Sequence, residues 1–341
     1  MSIFQPTLTP AKIPLKIIGW IPYWDQKAGL ESFSKNVKFL DFVSVFWYRI
    51  DSNGELTTYK KTVENQSIID SAHTNNVKVM AVVANLQDYD EGDDWDFQRV
   101  NLVISNPIVR KKHIAALIEL AKNKNFDGID IDYEALKKSQ RENFSLFIEE
   151  LAENLHQNGK LLGVAIHPKT SENNPQEDNG SHAQDLERIA KAADHLYFMT
   201  YTEHDSSSEP GSAGSIEWIK RVMSYTLNEL NLPKQKVFLG IGLFGLEWHQ
   251  TADSSYQNDN NDLNFKQVQS LITNNRAEVI WDSNTKSSYF YYDKNGERHV
   301  VWFENSQSVI NRIELARQLG ITNLALWRLG EEDPTIWGEL H

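Results

Sequence analysis

Asp130, Asp132 and Glu134 occupy every second position in the segment NFDGIDIDYEAL, residues 125–136. A β-strand points residues i, i+2 and i+4 to one face. The three acids therefore share a face, and Ile129, Ile131 and Tyr133 share the other. Carboxyls this close cannot all ionise easily, so at least one pKa is pushed up. That leaves a protonated acid near neutral pH, which is what proton donation to a leaving group needs. Two other readings stay open. One is a solvated strand face, which fits poorly beside strands that read as buried, where unpaired acids are costly. The other is an oxygen-ligand site for magnesium or calcium. No further ligand cluster supports it: His73, His113, His156 and His195 fall singly and read as structural. Neither metal nor cofactor is expected. Asp127 has the wrong parity for the acid face and reads as structural, and Gly128 permits close packing.

The elements that must hold these acids are legible as a rhythm. Apolar runs occur at 14–24, 40–50, 77–85, 126–134, 160–168, 194–201, 236–245 and 323–330. Most are continuous rather than alternating, as suits parallel strands covered on both faces. Helical patterns fill most of the gaps. Phe144, Phe147, Ile148, Leu151 and Leu155 repeat at helical spacing, as do Ile114, Leu117, Ile118 and Ala121 behind Pro107. Further helices are predicted near 183–193, 215–230 and 306–319. Eight strands alternating with helices predict an α/β fold, a (β/α)8 barrel, in which the acid face is the interior and Glu134 sits at the C-terminal mouth. An open doubly wound sheet is the alternative, but no Gly-rich phosphate loop follows the first strand. The rhythm breaks at 249–300, a polar stretch containing Asn295-Gly296 between two strand-like runs, a hairpin signal. The expected division is a barrel from 1–248 and 301–341, with a small α+β insertion between strands 7 and 8.

The chain has 341 residues and a formal net charge of −13. That balance argues against nucleic acid and anionic membranes as partners and fits a neutral substrate. No segment has the roughly 18 apolar residues of a membrane span. The opening MSIFQPTLTPAK lacks the apolar core of an export signal. There is no cysteine, so no disulfide contributes.

DGIDIDYE resembles the Asp-Gly-x-Asp-x-Asp-x-Glu signature of glycoside hydrolase family 18, the chitinase family. FMTYTEHDSSSEPGSAGSIEWI resembles the family's sixth-strand Met-x-Tyr segment and its loop, LGIGLFGLEW the seventh strand, and VWFENSQSV and ALWRLGEEDPTIW the end of the chain. Within the family, the chain most resembles the bacterial spore-germination, cortex-lytic type. The resemblance implies a substrate-assisted retaining mechanism, the exception to the usual two-carboxylate scheme. It assigns Glu134 as acid and then base, Asp132 to the substrate acetamido group, Asp130 as the buried partner of Asp132, and Tyr201 to the acetamido carbonyl. Trp327 would floor the sugar site, Tyr23, Trp47, Glu203 and His204 are candidate substrate contacts, and Asn85, ending the third strand, is a candidate to bond a sugar or a loop. Trp20, Trp24, Tyr48 and Trp248 are further candidates for lining the groove. The implied partner is a polymer or oligomer containing N-acetylglucosamine, in chitin or in wall glycan. A monomer is expected, secreted or in the cell envelope, although the chain shows no export signal. One departure stands out: many family members follow the sixth-strand Tyr with Asp, and here the residue is Thr202. A hydroxyl carries no charge, which raises the alternative of a chitinase-like carbohydrate-binding protein without turnover.

Overall fold

The computed structural model describes residues 14–340 except 173, 175–179, 206, 252 and 259–261. The opening stretch weighed for an export signal, and part of the polar run at 257–262, lie outside the described residues. Eight parallel strands close into a barrel: β1 Lys16–Pro22, β2 Phe42–Ile50, β3 Lys78–Ala84, β4 Gly128–Asp132, β5 Leu161–Ile166, β6 His195–Phe198, β7 Val237–Gly242 and β8 Asn323–Trp327. Neighbours in the chain pair in order, and β1 pairs with both β2 and β8, so the barrel sheet is closed.

The acid strand shows how sequence becomes placement. The odd-numbered residues of β4, Ile129 and Ile131, are fully buried on the outer face. They lie towards the helices Pro107–Asn123 and Arg141–Gln157, whose buried stripes include Leu117, Ala121, Phe144, Phe147 and Leu151. Burying each large apolar side chain contributes about 1.5–3 kcal/mol. The Asn106 side chain accepts from the N–H groups of Ile108 and Val109, and Pro107 opens the first helix. Tyr133 continues the outer face, with Phe147 stacked 5.7 Å away and its hydroxyl 2.7 Å from Nε2 of His113. The even-numbered residues, Asp130 and Asp132, are thereby turned inward.

The other single histidines also have partners. His73 lies 2.9 Å from Asp127, which also accepts from the Val79 N–H. His156 lies 2.9 Å from Asp194, and Nδ1 of His195 lies 3.0 Å from the Tyr197 hydroxyl.

Beyond β7 the chain builds a second sheet, antiparallel and five-stranded, from Gly245–Gln250, Tyr256–Asn258, Ile280–Asp282, Ser287–Lys294 and Glu297–Phe303. Helix Phe265–Asn275 packs on it through Val268, in a small core with Phe290 and Phe303. Asn295 and Gly296 both take positive φ and turn the hairpin between the two longest strands. Residues 249 and 300 both fall inside strands of this sheet. Its ends nearest the barrel are apolar, Leu246 and Trp248 opposite Trp302 and Val300, and in sequence they read like barrel strands.

Candidate active site

The C-terminal mouth of the barrel opens into a cavity of about 500 Å³ lined by Asp130, Asp132, Glu134, Tyr201, Thr202 and Trp327, among others. Asp130 is the deepest of the acids. Ser44 Oγ donates to its Oδ2 at 2.6 Å and the Tyr197 hydroxyl to its Oδ1 at 3.0 Å. Gly163 makes room for this contact, since a Cβ there would stand 2.1 Å from Asp130 Oδ1. Burial raises the Asp130 pKa to about 7, against the pull of the two hydroxyl donors.

Asp132 and Glu134 share a hydrogen bond, the protonated Glu134 donating. Burial, then the neighbouring Asp132 charge, pushes Glu134 well above the usual carboxyl range, and burial also raises Asp132. The site therefore presents a carboxylic acid beside a second carboxyl. Burial also keeps the Tyr201 phenol protonated, with the charges of Asp132 and Glu134 adding to the effect.

The floor is aromatic. Trp327 lies nearly parallel to Tyr201, at 11° and 6.5 Å, and meets Trp20, Trp24 and Phe46 at 6.1–6.3 Å. An indole face offers apolar surface to the C–H groups of a sugar ring. A second hollow of about 260 Å³ adjoins it, sharing Tyr201, Thr202, Asp205 and Trp327, with Leu246 and Asp262 from the stretch beyond β7 as further wall. His204 lies in this second hollow, where its Nδ1 is 2.9 Å from the Glu209 carbonyl.

Four candidate sugar contacts do other work. Asn85 is fully buried: its Nδ2 donates to the Glu134 carbonyl at 2.9 Å and its Oδ1 accepts from the Glu134 N–H at 2.8 Å. It clamps the backbone of the acid rather than facing the cavity. Trp47 is 1% exposed and packs against Tyr48 and Phe126. Phe46 shares the inward parity of Ser44 and lines the cavity wall, and a register shift between Phe46 and Tyr48 in the pairing of β2 with β3 breaks the alternation only after it. Tyr23 stacks on Tyr59 at 4.0 Å, and the helical turn Tyr23–Asp25 brings Trp24 to the main cavity instead. Glu203 accepts from the Ser215 N–H at 2.6 Å, next to the helix Ile216–Ser224, whose first turn needs acceptors. Tyr48 and Trp248 are also buried, at 4% and 0% exposure.

Sequence reasoning missed His167, Lys137, Gly180 and Asp205, all in the cavity wall. For His167 a signal existed. Gly163, Ala165 and His167 alternate, Gly163 faces Asp130, and the same parity carries Ala165 and His167 into the wall. Thr202 lines the cavity and donates to the Met199 carbonyl at 3.2 Å.

An eight-stranded parallel barrel with an acid-lined mouth defines a class of enzyme scaffold, in which the site sits at the C-terminal ends of the strands. Residues 16–332 match the family model described as Glycosyl hydrolases family 18, and the chain belongs to that family. It is 28% identical over 336 residues to "Uncharacterized glycosylase YvbX" of Bacillus subtilis, covering 98% of this chain and 93% of the relative. It is 25% identical over 302 residues to the "Cortical fragment-lytic enzyme" of the same organism, covering 88% of this chain and 67% of that enzyme. The crystal structure of a chitinase from Chromobacterium violaceum superposes with a TM-score of 0.84 at 25% identity, covering 96% and 98% of the two chains. Among the described residues, no helix is long and apolar enough to cross a membrane, and no group of three or more His, Asp or Glu could hold a metal ion.

Proposed function

We propose that the protein is a retaining glycoside hydrolase that cleaves β-1,4 linkages at N-acetylglucosamine, in chitin oligosaccharides or peptidoglycan glycan. The reaction is substrate-assisted. The acetamido oxygen of the bound sugar attacks its own anomeric carbon while Glu134 gives its proton to the departing bridging oxygen. The positive oxazolinium ion that results is balanced by Asp132, which accepts the acetamido N–H. Tyr201 donates to the acetamido oxygen, and Trp327 carries the ring. Water then attacks the anomeric carbon, and Glu134, now a carboxylate, takes its proton.

One observation carries the reading: Asp130, Asp132 and Glu134 line a single cavity floored by Trp327, where burial pushes Glu134 well above the usual carboxyl range. Similarity to an enzyme named for lysing cortical fragments and to a chitinase supports either glycan as substrate. The test is Glu134→Gln, which keeps shape and removes the acid. Mass spectrometry of products from N-acetylglucosamine oligomers and purified wall glycan should show cleavage by the parent and almost none by the variant. Equal rates would overturn the assignment. Thr202 in place of the family's usual Asp supports a second reading, a carbohydrate-binding protein without turnover. Calorimetric binding by the parent with no product after long incubation would favour it.

A further inference from the structure

Beside Glu134 stands an imidazole with no role in the steps above. The His167 side chain is 4% exposed, and its Nε2 is buried without a hydrogen-bond partner, 3.8 Å from Oε2 of Glu134. That is too long for a hydrogen bond and short enough for a small side-chain movement to close it. The approach depends on Gly180, at φ +118°, where a Cβ would stand 2.8 Å from the same Nε2 and 3.3 Å from the Ala135 nitrogen. The backbone of His167 is set by Gln184, itself 1% exposed. Its Oε1 accepts from the His167 N–H at 2.9 Å and its Nε2 donates to the Ala165 carbonyl at 2.8 Å.

The buried ring is neutral at ordinary pH, because desolvation holds its pKa down to about 4. A neutral imidazole has one N–H, and its position follows from the partner it meets. Glu134 creates that partner when it reacts. Once its proton has gone to the bridging oxygen, a carboxylate is left in a buried site next to Asp132, and a buried anion without a donor is costly.

We propose that His167 is a positioning residue for Glu134, its Nε2–H donating to the carboxylate that forms in the first step and holding it aligned for the water of the second. The proposal rests on the reading of Glu134 as acid and base. No proton leaves the imidazole: the Glu134 proton goes to the leaving oxygen, which keeps the pair of the broken C–O bond, and the attacking water returns a proton to Glu134. The other titratable groups around Glu134 are Asp132 and Asp130 on β4, which leads into it, and Tyr197 and Tyr201 from β6 and the segment beyond. Lys137 from the following loop and Asp205 from the loop after Tyr201 complete the set.

The experiment compares His167→Met, which removes the donor at similar volume, with His167→Gln, whose amide can still donate. Each is assayed on N-acetylglucosamine oligomers for kcat, KM and the pH profile of kcat/KM, with the melting temperature measured alongside. For His167→Met, kcat should fall about 10- to 100-fold with KM within about 3-fold, in line with losing one donor to a developing charge. Its basic limb should move to higher pH, because a carboxylate without its donor holds its proton longer. His167→Gln should recover part of both. An unmoved basic limb, or equal losses in the two variants that follow a fall in melting temperature, would overturn the proposal. Glu134→Gln separates the two readings. If that variant is inactive and the His167→Met limb stays put, only the role of His167 fails; if it is active, the assignment of Glu134 fails and takes this one with it.

Discussion

Asn85→Ala removes both side-chain bonds that fix the backbone of Glu134. A buried polar group left unpaired costs about 1–3 kcal/mol. Two groups set a ceiling of roughly 6 kcal/mol, and water entering from the adjoining cavity reduces it, so about 2–4 kcal/mol is expected. Asn85 does not line the cavity, so substrate binding should change little while the acid loses its fixed bearing. Misplacement of a reacting group by about 1 Å can cost about 100-fold in rate. Urea unfolding followed by tryptophan fluorescence gives the stability change, and steady-state kinetics on an N-acetylglucosamine oligomer give kcat and KM. The expected result is a lower urea midpoint, a 10- to 100-fold lower kcat and a KM within a few-fold. Asn85→Asp sharpens the test. Its carboxylate accepts from the Glu134 N–H but cannot donate to the Glu134 carbonyl until it is protonated, so its stability relative to the parent should recover as pH falls. A stability loss below about 1 kcal/mol together with unchanged kcat in Asn85→Ala would refute the clamp.

Two other expectations concern the acid face. Gly163→Ala would place a Cβ 2.1 Å from Asp130 Oδ1 and 2.4 Å from the Tyr197 ring; the overpacking should cost at least about 1–3 kcal/mol, read as a lower melting temperature. Asp130, with its pKa raised to about 7 from an ordinary 3.8, favours the folded state fully only below the unfolded value, and that contribution is lost as pH rises through the folded one. The slope is at most about 1.4 kcal/mol per pH unit. Asp130→Asn should therefore gain stability relative to the parent between pH 5 and 7, and parallel urea midpoints at the two pH values would contradict the burial of an ionisable group there.

The barrel and its acid face were legible because a two-residue period needs no tertiary knowledge. Asp130 and Asp132 face inward, and Ile129 and Ile131 face the helices, as parity requires. Trp47 obeys the same rule: Ser44 and Phe46 face inward, so Trp47 faces outward, and nearness to a strand end alone had made it a candidate. The register shift between Phe46 and Tyr48 sets Tyr48 beside it against Phe126, and nothing in the residue types announces that. Tyr23 and Trp24 follow a strand end, where a helical turn resets which side chain faces inward. Asn85 looked like a sugar ligand because an amide at a strand end suits one. The demand it meets, pairing the Glu134 backbone where the chain leaves the sheet, belongs to a residue 49 positions away.

The charge state of the site follows from what does not surround it. Among the described residues, the only basic group within 4.0 Å of the three carboxyls is the His167 imidazole, and burial keeps it neutral. Elsewhere in the molecule buried acids meet guanidinium groups, Glu304 2.8 Å from Arg312 and Glu331 2.7 Å from Arg328, which pull down carboxyl pKa values that burial still leaves raised. A cation in contact with the trio would lower the carboxyl pKa values and work against the proton that the proposed role of Glu134 requires. Donors at the base of the trio are instead hydroxyls, from Ser44 and Tyr197, which stabilise Asp130 without supplying positive charge. The remaining need is met by protons, and the outermost one is held at the cavity. Replacing Ser44 or Tyr197 with a cationic side chain should therefore lower the Asp130 pKa against the pull of burial, read as a basic limb of kcat/KM moved to lower pH, a different failure from the loss of any single carboxyl.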